Sequence, residues 1–504
     1  MPAGGARRKR AEGYARTSGS MAGGALAAQL KTHREARMAG ESELLAGFVA
    51  ELDFSEIPGE AAERAKALAL DLLGSAVRAR AEADSTPALF SAVKALGLAP
   101  EWCGECCASV AGDEHLYPPL TAALLNGALG HSLDFDDTHA ASSLHPSAPV
   151  VPAALAAAEM VEAEGESLIA GIVAGYETAC RLGMALDPAA HYARGFHPTA
   201  TAGTFGAAAA AARVFGLAQE GVAAAFGVAG SQAAGSLQFL ANGAWNKRYQ
   251  VGAAAMNGLM AATLAREGFL GAAEAIEGKH GFLKAYSDGA EPARAVAGLG
   301  ETWETLNIAV KPYPTCRYTH AALDALLQLR AEAGLRAVDI EKVQVGLHGN
   351  GIALTAEPVE AKRRPGSIVE GQFSMPFVGA VALLEGGFSW DDYRRLGAPE
   401  VEALAARFHV VREESLEGLS HPFGAEVAIL LKDGRRLSRR VGEPSGEPQS
   451  FPAPEALAEK FMTLARPVLG EAAETLRRRV EALEGATDVR GLLRAPGRGA
   501  VAAE

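Results

Sequence analysis

The chain has 504 residues, of which 49% are hydrophobic, and it carries a net charge of −13 at neutral pH. This length and apolar content suffice for two or more domains with cores of their own. The acidic excess argues against a nucleic-acid partner, and the sequence lacks an uninterrupted apolar run of transmembrane length. We therefore expect a cytoplasmic protein with neither a membrane nor a nucleic acid as its partner.

Cysteine usage also favours a cytoplasmic protein. The odd number and wide spacing of the cysteines argue against a disulfide framework and fit a reducing compartment. The five are Cys103, Cys106, Cys107, Cys180 and Cys316. We expect buried structural thiols, since the first three lack the second ligand pair that a structural zinc site needs.

The first forty residues differ from the rest of the chain. The basic run Arg7-Arg8-Lys9-Arg10 lies among Gly, Ser and Ala. This composition predicts a disordered basic tail over residues 1–40. The segment lacks the apolar core of a secretory signal, and we assign no catalytic chemistry to it.

Helical patterns dominate the chain from residue 41 to residue 306. Apolar residues recur at a spacing near 3.6, and Ala and Gly are abundant on the helices, which predicts close helix–helix packing. The predicted helices cover 41–80 (as a pair), 86–97, about 118–133, 149–165, 169–186, 205–216, 218–235 and 247–269. A loop is predicted over 187–206, and 106–112 is predicted to be extended.

The pattern changes near residue 306. NIAVKPYP is β-like, IEKVQVGLHG alternates as a strand does, and AEVAILLKDGRRLSRRV predicts a hairpin that turns at Lys432-Asp433-Gly434. The predicted fold is therefore mainly α: a large all-helical domain (41–306 and 448–495) with a smaller α+β lid domain (307–447). The cleft between the two is the expected site.

The segment from Asn126 to Pro152, NGALGHSLDFDDTHAASSLHPSAPVVP, concentrates ionisable groups between two apolar helices. Three carboxylates and three histidines fall within fifteen positions: His131, Asp134, Asp136, Asp137, His139 and His145. An acidic run at a helix end is often a solvated face or a cap. Because burying charge is costly, such a cluster between apolar helices is also a candidate functional site.

Three further segments supply cations and imidazoles. His197, in GFHPT, either caps a helix or acts as a ligand or acid–base group. Lys247 and Arg248 precede a helix, where they form either a solvated basic pair or an anion site. Lys311 to His320, KPYPTCRYTH, lies at the predicted domain junction, where it is a hinge, a carboxylate clamp, or both.

These residue types suit chemistry next to a carboxylate. Removing a proton or CO2 beside a carboxylate builds negative charge, which fixed cations and hydrogen-bond donors stabilise. A histidine moves the proton, and an acidic neighbour orients that histidine. The residues assembled for this role are Asp134, Thr138, His145, His197, Lys247, Lys311 and Arg317.

At these residues the chain resembles the MmgE/PrpD family, which includes 2-methylcitrate dehydratase, cis-aconitate decarboxylase and iminodisuccinate epimerase. The matching segments occur in the family's order over 126–330: NGALGHSLDFDDTH with LHPSAPVVPAALAAAE, GYETACRLG, GFHPTATAGTFGAAAAAARVFGL, NKRYQVGAAAMNGLMAA and KPYPTCRYTHAALDALL. A weaker match to the family's layout runs from about 42 to 487. The resemblance implies a helical domain with an α+β lid, a homodimer, and no metal or organic cofactor.

The resemblance also implies roles for individual residues. His145 is the expected acid–base group and Asp134 its tuning carboxylate, with His197 beside them, while Lys247 and Lys311 hold substrate carboxylates. The expected substrate-binding residues are Thr138, Arg248, Tyr313, Cys316 and Arg317. The leading expectation is a hydro-lyase of the 2-methylcitrate dehydratase kind, in propionate catabolism, acting on a small di- or tricarboxylate.

Other functions stay open at this stage. An epimerase or a decarboxylase of the same family is the first alternative, although Cys316 stands where the decarboxylase branch has a histidine. A metal-dependent helical enzyme that uses Asp134-x-Asp136-Asp137 is the second, disfavoured by the lysine segments and by an aromatic content of only 6%. A non-catalytic ligand-binding protein is the third.

Overall fold

A computed structural model describes residues 39–100, 103, 106–419 and 422–494 of the chain. The predicted basic tail lies outside the described residues except for its last two positions. From Glu41 onward the chain forms one compact unit. Helices predominate and the sheets are small, so the mainly α fold is confirmed.

The first part of the chain is built of helices with only short strands between them. Its helices are α1 (Glu41–Glu51), α2 (Gly59–Glu82), α3 (Thr86–Ala95), α4 (Pro119–Gly130), α5 (Ser147–Val161), α6 (Gly165–Ala185), α7 (Pro188–Ala193), α8 (Pro198–Val214), α9 (Gln219–Ala229), α10 (Asn246–Arg266) and α11 (Phe282–Tyr286). The short strands are β1 (Ala108–Ser109), β2 (Leu116–Tyr117), β3 (Thr138–His139) and β4 (Ile308–Ala309).

Small residues let the central helices α4, α8 and α10 approach closely. A Cβ on Gly252 of α10 would lie 2.3 Å from the backbone oxygen of Leu124 in α4, and a Cβ on Gly258 would lie 2.4 Å from the Cβ of Ala207 in α8. Only glycine permits backbone contact of this kind. The Ala- and Gly-rich faces in the sequence therefore do mark close helix packing.

The second part of the chain contains the larger sheet. Its elements are α12 (His320–Ala333), β5 (Ile340–Leu347), α13 (Gly349–Thr355), α14 (Val359–Arg363), α15 (Ile368–Gln372), α16 (Met375–Glu385), α17 (Pro399–Ala405), β6 (Phe408–Arg412), β7 (Ala425–Leu431) and β8 (Arg436–Val441). The strand order is β6-β5-β7-β8, with β5 parallel to β6 and antiparallel to β7. The hairpin of β7 and β8 has the predicted turn. The last helices, α18 (Pro454–Leu469) and α19 (Ala472–Glu481), pack against α2.

Two expectations about local structure are wrong. The loop predicted over 187–206 contains α7 and the first turns of α8, since Pro188 and Pro198 each open a helix, where a missing N–H costs nothing. Cys103 and Cys107 form a disulfide instead of serving as buried thiols, their Cα atoms lying 5.8 Å apart, within the range that the bond requires. Cys180 and Cys316 are buried as free thiols, as expected, whereas Cys106 is exposed.

Candidate active site

The acidic segment becomes a buried loop between α4 and α5. Asp134 adopts a left-handed backbone conformation with φ at 54°, which Asp tolerates better than most residues. Strand β3 pairs antiparallel with β4, so that Thr138 lies opposite Ala309. This pairing ties the loop to the chain two residues before Lys311, and it brings the two predicted segments together.

Asp134 is the meeting point of the two predicted lysines. Its Oδ1 lies 2.6 Å from Nζ of Lys247 and 3.3 Å from Nζ of Lys311, and Lys311 also donates to the Asp134 carbonyl oxygen at 2.8 Å. Burial would raise the pKa of Asp134, but the two ammonium groups outweigh burial and hold that pKa below its usual value. Asp134 is therefore an ionised carboxylate held between two cations.

His145 lies at the end of the same loop in a fixed orientation. Its Nδ1 is 2.6 Å from the carbonyl oxygen of Asp137, and its backbone N–H donates to Thr199 Oγ1 in α8 at 3.1 Å. Burial lowers the pKa of His145 to about 3, against the opposing effect of Asp136 and with the help of Lys311. The imidazole is therefore neutral at neutral pH.

His197 is the residue immediately before α8. Its backbone N–H donates to the Gly235 carbonyl at 2.9 Å, and its Nδ1 lies 2.8 Å from Nε2 of Gln250 in α10. Burial, together with His131 and Lys247, lowers its pKa well below the usual value. The His197 side chain bonds to Gln250 in α10 and makes no capping hydrogen bond to α8, so the helix-capping alternative does not hold.

A buried histidine–carboxylate pair supports this centre. His131 Nδ1 lies 2.6 Å from Asp136 Oδ2, and the His131 ring is 4.9 Å from that of His145 and 5.9 Å from that of His197. Nε2 of His131 has no hydrogen-bond partner within the described part of the chain. Both residues belong to the predicted cluster, but no role could be predicted for either, because spacing alone does not show which histidine contacts which carboxylate.

Segments of the second half of the chain complete the site. Arg317 Nη1 donates to Thr138 Oγ1 at 2.8 Å, and Arg317 Nε donates to Glu447 at 3.0 Å. Cys316 is buried, and burial raises the pKa of its thiol to about 11. Its backbone N–H donates to the carbonyl of Gln372, whose side-chain amide donates to the Leu133 carbonyl in the acidic loop.

Two of the predicted substrate-binding residues bond elsewhere. The Arg248 guanidinium contacts Asp84 and donates to Ser85 Oγ at 2.8 Å, and the Tyr313 hydroxyl donates to Asp324 Oδ1 at 2.7 Å. Both side chains are thus engaged with partners outside the Asp134 and His145 cluster. Lys247 and Arg248 are neighbours in sequence, but adjacent helix positions project about 100° apart, so only one of them reaches Asp134.

A lysine near the end of the chain also holds the loop. Lys460 of α18 donates to the carbonyl oxygens of Phe135 at 3.0 Å and Lys311 at 2.9 Å, and its Nζ lies 2.6 Å from Asp71 Oδ1 in α2. One ammonium group therefore joins the two loops that carry Asp134 and Lys311. Neither Lys460 nor Asp71 lies in a distinctive local sequence pattern, so neither was predicted as part of the site.

The model of the MmgE/PrpD N-terminal domain matches residues 43–295, and that of the C-terminal domain matches residues 313–484. The chain belongs to the MmgE/PrpD family. Together these matches cover most of the chain, and the resemblance seen in the sequence is confirmed.

The curated relatives include several cis-aconitate decarboxylases. The cis-aconitate decarboxylase-like protein oryM of Aspergillus oryzae is 32% identical over 89% of this chain and 95% of its own length. Cis-aconitate decarboxylase of Aspergillus terreus is 30% identical over 90% and 95%. The enzyme of Homo sapiens is 29% identical over 74% and 78%. These names support a lyase and point to decarboxylation rather than to the 2-methylcitrate dehydration expected from the sequence.

The metal-dependent alternative does not fit the Asp-x-Asp-Asp segment of this MmgE/PrpD member. Asp134 is occupied by two ammonium groups that would repel a cation, and Asp137 accepts from Ser147 Oγ at 2.6 Å. A different set, His131, Asp136 and His145, has its ligand atoms within 4.8 Å of one another. The Nδ1 atoms of the two histidines are bonded to Asp136 and to the Asp137 carbonyl, so a metal there would have to bind their Nε2 atoms.

No helix among the described residues is long and apolar enough to span a bilayer.

Proposed function

We propose that this protein is a lyase that decarboxylates a small unsaturated tricarboxylate of the cis-aconitate kind, without a metal or organic cofactor. The observation that carries the proposal is the meeting of Lys247 and Lys311 at Asp134, beside the neutral imidazoles of His145 and His197. Two fixed cations next to neutral proton-transfer groups suit a reaction that builds charge on a carboxylate.

Each group has a part in this chemistry. Substrate carboxylates bind Lys247 and Lys311, with Arg317 beside Thr138. When the C–CO2 bond breaks, its electron pair spreads over the neighbouring double bond and carboxylate, where the ammonium groups stabilise it. An imidazole then supplies the proton that replaces CO2 on carbon. Bound carboxylates would also raise the depressed pKa of His145 towards neutrality.

The test is proton NMR in D2O with cis-aconitate, citrate, 2-methylcitrate and iminodisuccinate as a substrate panel. We expect a decarboxylated product from a cis-aconitate-like acid, with deuterium at the carbon that receives the new proton. His145→Gln should lower the rate by about 10²-fold or more with an unchanged circular dichroism spectrum. No product from any member of the panel, or full activity of His145→Gln, would count against the proposal.

A second candidate is dehydration of a 2-methylcitrate-like acid. Cys316 favours it, because the family resemblance places a histidine at this position in the decarboxylase branch. The buried thiol, with its pKa raised to about 11, is a weak proton donor and acceptor at neutral pH. The same panel separates the candidates: dehydration gives a new alkene signal without CO2 release, and decarboxylation releases CO2.

The absence of a metal requirement is part of the proposal. We expect activity to survive prolonged treatment with a chelator, because the ammonium groups of Lys247 and Lys311 supply the positive charge that a metal would otherwise provide. Loss of activity that a divalent cation restores would instead favour a metal at His131, Asp136 and His145.

A further inference from the structure

Gln250 is a residue of the site that no sequence pattern singled out. It lies one helical turn after Lys247 in α10, so that the two side chains share a face of that helix. Lys247 reaches Asp134, and Gln250 reaches Nδ1 of His197 at 2.8 Å. Gln250 also lines a cavity of about 480 Å³ with Phe239, whose ring lies 6.0 Å from that of His197.

The chemistry of this contact determines which ring nitrogen of His197 carries the proton. The amide nitrogen of Gln250 only donates hydrogen bonds, so Nδ1 of His197 must accept with its lone pair. A neutral imidazole carries one proton, and the depressed pKa of His197 keeps the ring neutral. The proton is therefore on Nε2, which makes that atom a donor.

His145 has the opposite arrangement. Its Nδ1 faces the carbonyl oxygen of Asp137 at 2.6 Å, and a carbonyl oxygen only accepts. The proton of neutral His145 is therefore on Nδ1, and Nε2 carries the lone pair. The two imidazoles are thus in opposite tautomers, one with Nε2 as the donor and the other with Nε2 as the acceptor.

We propose that Gln250 is a positioning residue that sets His197 as the proton donor of the site. The proposal deepens the proposed lyase function and rests on it. In the decarboxylation, Nε2–H of His197 gives its proton to carbon as the electron pair of the broken C–CO2 bond arrives there. As Nε2 gives up its proton, a solvent proton replaces it there, so that the ring stays neutral. Over the cycle CO2 leaves and one solvent proton is added to the substrate carbon.

The tautomer is measured directly by nitrogen NMR of protein labelled with ¹⁵N-histidine, with the His197 signals assigned by their loss in His197→Asn. In the unmodified chain we expect a protonated Nε2 and an unprotonated Nδ1. In Gln250→Glu the new carboxylate only accepts, so we expect a proton on Nδ1 of His197. Gln238→Glu is the matched control, since Gln238 lines the same cavity and is exposed; it should leave the His197 signals unchanged.

Activity provides the second readout. Gln250→Met removes the amide donor and should lower kcat by about 10²-fold, with KM within about twofold, because the loss is of a correctly placed proton rather than of substrate binding. A protonated Nδ1 in the unmodified chain, an unchanged tautomer in Gln250→Glu, or unchanged kcat in Gln250→Met would overturn the proposal. The NMR result does not depend on turnover. If no polycarboxylate is turned over, the proposed lyase function is therefore contradicted, while the role of Gln250 in setting the tautomer is still tested.

Discussion

At the scale of single residues, the site depends on charges that balance one another. Asp134 is ionised because two ammonium groups offset the cost of its burial, and Asp134 in turn raises the pKa of Lys247 against the effect of desolvation. His145 and His197 stay neutral in the same small volume. A polyanionic substrate would therefore meet two cations whose charge Asp134 only partly neutralises.

This balance predicts the effect of removing one lysine. Lys247→Met should raise KM for the polycarboxylate by about tenfold to a hundredfold, because one charge-assisted hydrogen bond to substrate is lost. Steady-state kinetics measures the change. Lys342→Met, on the exposed side of β5, is the control and should leave KM unchanged. An unchanged KM in Lys247→Met would remove this lysine from substrate binding.

At the scale of elements, α10 positions the chemistry through its packing. It carries Lys247 and Gln250 at its start, and Gly252, two residues later, lies against α4, whose end opens into the acidic loop. The distance between these helices therefore sets where both lysine and loop lie. A side chain at Gly252 would push the two apart.

Gly252→Ala should accordingly destabilise the protein by about 1–3 kcal/mol, the usual cost of overpacking. Its added Cβ would lie 2.3 Å from the Leu124 carbonyl oxygen. Gly59→Ala is the matched control, since no heavy atom lies within 4 Å of a Cβ there, and alanine favours a helix. Urea denaturation compares the two; equal midpoints would show that α4 and α10 separate without cost.

At the scale of the whole molecule, buried neutral histidines link stability to pH. Burial lowers the pKa of both His145 and His320 to about 3, below the unfolded value of about 6.5. Between these values the unfolded chain binds protons that the folded chain does not. The free energy of unfolding should therefore fall as the pH drops from about 6.5, by about 1 kcal/mol per pH unit for each such imidazole.

Denaturation by urea at a series of pH values tests this slope. His320→Asn lacks one titrating ring and should show a shallower slope than the unmodified chain, whatever its stability at neutral pH. A free energy of unfolding that stays constant or rises as the solution is acidified to about pH 5 would contradict the expectation.

The homodimer implied by the family resemblance stays a prediction. Large apolar side chains are exposed near the start and the end of α10, among them Leu240, Tyr249, Phe269 and Leu270. Exposed apolar side chains are typical of surfaces that associate when they form a contiguous patch. Light scattering should give twice the mass of one chain at micromolar concentration, and the mass of a single chain would contradict the prediction.

The sequence by itself determined the helical fold and the identity of the segments that form the site. Helix and strand periods are local, so α10, β5 and the hairpin of β7 and β8 could be predicted from their own residues. The ordered segments around His145, Lys247 and Lys311 pointed to the family. The local pattern gave a wrong prediction of a loop where turn residues open a helix, as at Pro198.

Only the tertiary structure decided which side chains meet. Asp71 and Lys460 lie near opposite ends of the chain, and the pairing of His131 with Asp136 depends on how the loop folds after α4. Whether Lys247 or Arg248 reaches Asp134 depends on the rotation of α10 about its axis. The physical reason is that charge compensation, tautomer and pKa depend on atoms within a few ångströms, and those atoms come from segments that only folding brings together.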